Sequence, residues 1–150
     1  MKLSDWLSSG DLLRQPTRPE EIARLVEVAR RDLADAAASG LSVDRQFSTA
    51  YEAAFTLSTV VLRAAGYRTR SSAGHHFLTF AVLPEFLGEA AAPRARYYQS
   101  CRRKRHQATY EQTGVATEAE VKELVADVEA FRQEVLEWLR EHHPELTPSG

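Results

Sequence analysis

Apolar positions recur along this chain at helical spacing. Ile22, Leu25, Val26, Ala29, Leu33, Ala36 and Ala37 keep a three-and-four rhythm. They predict a helix that opens at Pro19, carries Glu20 and Glu21 at its positive end, and runs to about Ser39, with Gly40 as its stop. A second helix is predicted after Ser42, with Asp44 in its first turn. Its inner stripe is Phe47, Ala50, Tyr51, Ala54, Leu57, Ser58, Val61, Leu62 and Ala65, with Glu52 at the edge. Gly66 closes it, and Tyr67 to Ser72 read as a polar loop. The segment GHHFLTFAVLPEFLG from Gly74 reads as a short buried helix broken at Pro84; its FLTFAV run also fits a strand. Thr117 and Glu120 form a capping box for a last helix. That helix turns Val121, Leu124, Val125, Val128, Phe131, Val135, Leu136, Trp138 and Leu139 inward and an acidic face outward, and Pro144 stops it. Lys2 to Gly10 predict one short helical turn anchored by Trp6, and Glu145 to Gly150 a frayed tail. With a further helix over residues 91–110, five segments predict an all-α, up-and-down helical bundle. The expected organisation is one domain over 1–150, with its core at about 18–142 and residues 1–17 and 143–150 peripheral.

Composition agrees with a bundle. Only seven Gly and six Pro occur in 150 residues, so few positions break a helix. The lone cysteine, Cys101, excludes an internal disulfide, fits a reducing compartment and reads as a small core filler. No stretch approaches the apolar length of a membrane span, and the first ten residues lack a signal-like apolar run, so the expected location is cytoplasmic, away from membranes.

Charge changes the picture over Ala91 to Tyr110, AAPRARYYQSCRRKRHQATY. It holds Arg94, Arg96, Arg102, Arg103, Lys104 and Arg105 and no carboxylate, in a chain of net charge -2. Such a run points to a polyanion site or to a solvated helix face. Read as one continuous helix begun near Pro93, it puts Tyr98, Cys101, Arg105 and Ala108 on one stripe. Arg102, His106 and Tyr110 share the neighbouring stripe, and Arg103 and Lys104 lie outward. A guanidinium among apolar neighbours needs a partner. For Arg105 that partner is a ligand phosphate or an internal carboxylate, with Glu52 the candidate. The acidic last helix either neutralises the basic one inside the monomer or only solubilises the chain.

Two stretches, STAYEAAFTLSTVVLRAAGYRTRSSAGHH and RRKRHQATYE, together resemble the core of HEPN domains over residues 20 to 140. The resemblance implies a helical bundle, usually homodimeric, of bacterial toxin–antitoxin or defence systems. It also implies, in many members, a metal-independent endoribonuclease with no cofactor, an R-x4-6-H motif and a site shared by two protomers. Some members pair with a nucleotidyltransferase antitoxin that modifies a tyrosine just after that His. Here Arg102 and Arg103 precede His106 at shorter spacings, and Arg105 is followed five residues on by Tyr110. This looks like a variant with Tyr in the place of the catalytic His. A tyrosine of pKa near ~10 is a poor base at neutral pH.

If RNA is cleaved, Arg102 or Arg105 would hold the phosphate, His106 would move the proton, and Tyr110 would donate a hydrogen bond. Arg94, Arg96, Arg103 and Lys104 would hold the RNA backbone. The alternative is an inactive HEPN-like module that binds RNA or a nucleotidyltransferase, with Arg105 structural. A third reading is a helical adaptor without nucleic acid. His75 and His76 suggest a metal pair, but adjacent helical residues diverge by about 100°, so packing beside the basic helix is the favoured role and no metal is expected.

Overall fold

The computed structural model describes residues 3–38, 40–70, 74–108 and 113–148. The strongest apolar stripes form the two longest neighbours: α2 (Pro19–Ala37) and α3 (Val43–Ala64) lie along one another. α2 ends at Ala37, before the predicted Ser39. Ser42 Oγ accepts from the Arg45 amide at 3.2 Å and starts α3. Beyond the predicted stripe, Ala53 and Val60 are also buried, so α3 is covered on more than one side and forms the centre of the bundle. The last helix, here α7 (Glu118–His142), packs on α3 with Val121, Leu124, Val128, Phe131, Val135 and Leu139 buried. Both halves of its Thr117–Glu120 capping box are formed.

Pro84 divides the short apolar segment, as its missing N–H requires. α4 (His75–Ala81) and α5 (Leu83–Leu87) are helices, not a strand. After a 3-10 turn at Glu89–Ala91, the basic helix α6 runs Ala92–His106 and widens into a π turn at Gln107 and Ala108. Residues 109 and 110 of the predicted span, Tyr110 among them, lie outside the described residues.

Two further regions depart from the sequence reading. The predicted polar loop contains a strand, β2 (Tyr67–Thr69), paired antiparallel with β1 (Leu12–Arg14) in the register Leu12↔Thr69 and Arg14↔Tyr67. Three residues are too few for alternation to show; Gly66, at φ 98°, turns the chain back into the pairing. The short helical turn expected at Lys2 to Gly10 forms as α1 (Leu3–Ser9), with Trp6 buried. With β1 it builds a second apolar cluster, in which Trp6 and Leu12 meet Leu62, Leu78 and Val82. The predicted frayed tail contains a 3-10 turn, Pro144–Leu146, that buries Leu146 against the main core. The chain is thus an all-α bundle of seven α-helices among the described residues, where five are predicted, with one short antiparallel strand pair. No described helix is long and apolar enough to cross a membrane.

Candidate functional site on the basic helix

α6 is held by its buried face: Ala95, Tyr98 and Cys101 enter the core. Burial pushes the Cys101 thiol up to about 12, so it is a neutral filler at physiological pH. The six cations around this anchor meet different fates. Arg94 is taken by α7: Nε lies 3.2 Å from Asp127 Oδ2, Nη1 pairs with Glu134, and Cζ sits 5.1 Å from the Phe131 ring centroid. Lys104 Nζ lies 3.0 Å from Glu120 Oε2 and also donates to the Val115 carbonyl. Hydrogen bonding from Lys104 and the Thr117 backbone holds the Glu120 carboxyl below its ordinary value. Two of the four side chains expected on RNA backbone are therefore neutralised within the monomer. Arg96 and Arg103 are exposed and make no ion pair among the described residues.

Arg105 leans inward as its stripe predicts. Its Nη2 reaches Glu52 Oε2 at 3.5 Å, so the carboxylate proposed from sequence is the one it meets. Cζ stands 5.5 Å from the Tyr51 ring centroid, and Nε is buried without a hydrogen-bond partner among the described residues. Burial raises the Glu52 carboxyl above its ordinary value; Arg105 opposes this and Asp32 adds to it. Behind Tyr51 lies a packed aromatic group. The Tyr51 hydroxyl is 2.8 Å from His76 Nδ1, and the His76 ring stacks on Phe55 at 4.0 Å between centroids. Burial, with the nearby His75, Arg105 and Arg102, depresses His76 to about 4, so it is neutral at pH 7. His75 bonds Thr69 through Nδ1, and burial lowers its pKa too. The His pair thus packs on α3 and β2, and among the described residues no group of three or more His, Cys, Asp or Glu could hold a metal ion.

The other inner stripe opens to solvent. Arg102, Arg103, Lys104 and His106, with Ser100 and Gln107, line a depression of about 610 Å³. Arg105 lines a different one, of about 380 Å³, with Asp44, Arg45, Ser48 and Thr49 from α3. The fold therefore brings Arg102, Arg103 and His106 together and sets Arg105 in a separate depression. Such a grouping can bind an anion through Arg102 and Arg103 and place an imidazole beside it.

Three functional neighbours escape sequence reasoning. Gln99 Nε2 donates to the Phe77 carbonyl at 2.8 Å, while its Oε1 accepts from Arg102 Nε at 3.0 Å. Arg102 Cζ is consequently held 5.7 Å from the Phe77 ring centroid. Phe77 is half exposed although it belongs to an apolar run, and Phe55 faces the histidines. An aromatic out of phase with Leu78 and Phe80 is the only sequence signal of this. The sequence matches no protein-family model, and no curated protein and no solved structure matches it.

Proposed function

We propose that this chain is a HEPN-like RNA-associated module that grips RNA with the C-terminal half of α6. The observation that carries the reading is the open depression of Arg102, Arg103, Lys104 and His106, which no carboxylate lines, in a chain that pairs Arg94, Lys104 and Arg105 internally. Arg102 and Arg103 supply the phosphate contacts, and Arg105 braces the helix against α3. Binding of single-stranded RNA, measured over a range of salt for wild type and for Arg102→Ala/Arg103→Ala, tests this. Losing two phosphate contacts lowers the slope of log K against log salt by about 1.4. An unchanged slope and affinity overturns the reading.

A second reading, metal-independent endonuclease activity, is favoured by His106 lining the same depression as the two arginines. It predicts RNA cleavage in the presence of a chelator that His106→Ala abolishes. Equal cleavage by both proteins removes His106 from the chemistry.

A further inference from the structure

We propose that the edge between α4 and α6 is a stacking clamp for single-stranded nucleic acid, in which the Phe77 ring takes an unpaired base and Arg102 takes the adjoining phosphate. This deepens the RNA-binding reading and rests on it. Phe77 is 50% exposed, although the residues that follow it, Leu78, Thr79 and Phe80, are all buried. The ring stands beside the cationic surface of α6, with Arg102 against it. Its position is built. One side chain, Gln99, fixes both partners: its amide nitrogen holds the Phe77 backbone and its amide oxygen holds Arg102 Nε. With Nε engaged, the terminal nitrogens of Arg102 make no hydrogen bond among the described residues and remain able to meet a phosphate as a fork. The cation covers one part of the ring at 5.7 Å and leaves the rest open. Phe77 also walls a cleft of about 210 Å³ together with Trp6, Thr69, His75 and the paired Asp11 and Arg70, so polar groups lie near the ring.

The arrangement selects single strands by physics. Bases inside a duplex already stack on one another and present no face to a protein ring, whereas unpaired bases stack readily on Phe and on guanidinium planes. Stacking on one aromatic is not base-specific, so tolerance of sequence is expected. Arg102 and Arg103 then set the salt dependence, and Phe77 sets the preference for unpaired strands.

The test uses the full chain, a single-stranded RNA carrying 2-aminopurine, the matching RNA duplex, and a DNA strand of the same sequence. Wild type is expected to bind both single strands more tightly than the duplex and to quench the probe. Phe77→Ala should weaken single-strand binding by about 5- to 150-fold and abolish the quenching. Its salt slope and duplex affinity should stay those of wild type, and Phe77→Trp should restore binding. Gln99→Ala should reproduce part of the loss by releasing Arg102 from the ring. Unchanged circular dichroism would show that Phe77→Ala folds, as an exposed position allows. If Phe77→Ala binds like wild type while Arg102→Ala/Arg103→Ala binds weakly, the clamp is refuted and the phosphate-binding surface stands. If wild type binds none of these strands at low salt, both fall.

Discussion

Replacing Arg105 by Ala removes the one cation of α6 that is tied to the central helix. The Coulomb attraction across its 3.5 Å contact with Glu52 is about 5 kcal/mol at an effective dielectric constant of ~20. Most of this is offset by desolvation. The side chains keep 27% and 37% exposure, which places the pair between an exposed bridge of ~0–1 kcal/mol and a buried one. The contact with the Tyr51 face contributes ~0.5–1 kcal/mol, and the aliphatic stem adds packing. The net loss is about 2 kcal/mol at pH 7, which lowers Tm by ~4–8 °C for a chain of this size. Urea denaturation of wild type, Arg105→Ala, Glu52→Gln and the double variant measures it, with a coupling energy of ~1 kcal/mol expected from the cycle. The pH dependence is a second check. Glu52 titrates above its ordinary value of 4.5 in the folded chain, so its ionisation costs stability as pH rises through that raised value. Without Arg105 the cost is larger, because the one neighbour that opposes the rise is gone. The penalty for Arg105→Ala should therefore be full at pH 7 and shrink below about pH 4.5, where Glu52 is protonated in both states. A loss under 0.5 kcal/mol, or the same loss at pH 7 and pH 4, would refute a stabilising ion pair.

Three other outcomes are expected. The His76 ring should titrate near 4 by NMR, against an ordinary value of 6.5; because the unfolded chain binds the proton first, this site stabilises the fold above pH 6.5 and loses that contribution as pH falls toward 4. A His76 midpoint near 6.5 would contradict its packing against Phe55. Asp44→Ala should cost ~1–2 kcal/mol and speed amide exchange at Gly114 and Ala116, whose N–H groups donate to Asp44 at 2.7 and 3.2 Å. Cys101, 4% exposed with a thiol near 12, should resist a thiol reagent at pH 8 until the chain is unfolded; fast labelling of the native chain would contradict its burial.

The long helices were legible because burial on one side forces a 3.6-residue rhythm, and Ser42, Pro84 and the Thr117–Glu120 pair mark ends through local chemistry alone. The stripe of Tyr98, Cys101 and Arg105 was legible for the same reason. What covers an outward face was not. Arg94 and Lys104 look like Arg103 in the sequence, yet α7 lies beside the first two and supplies Asp127, Glu134 and Glu120. The β1–β2 pairing left no trace, since neither three-residue strand has a pattern and their partners are more than fifty positions apart. The packing of His76 against Phe55 and Tyr51 depends on how α4 docks on α3, which no local rule reports.

The pairing of β1 with β2 has a kinetic consequence. Joining Leu12 to Thr69 closes a loop that contains the whole of α2 and α3, so chain entropy delays that step until the helical pair has formed. The opening residues are then the last piece to lock and the first to let go. Since Trp6 and Leu12 pack under Leu78 and Val82, transient release of this flap would uncover one side of α4 while the four long helices stay assembled. A protein shortened to begin at the first long helix would keep its bundle and lose the apolar footing under Leu78 and Val82.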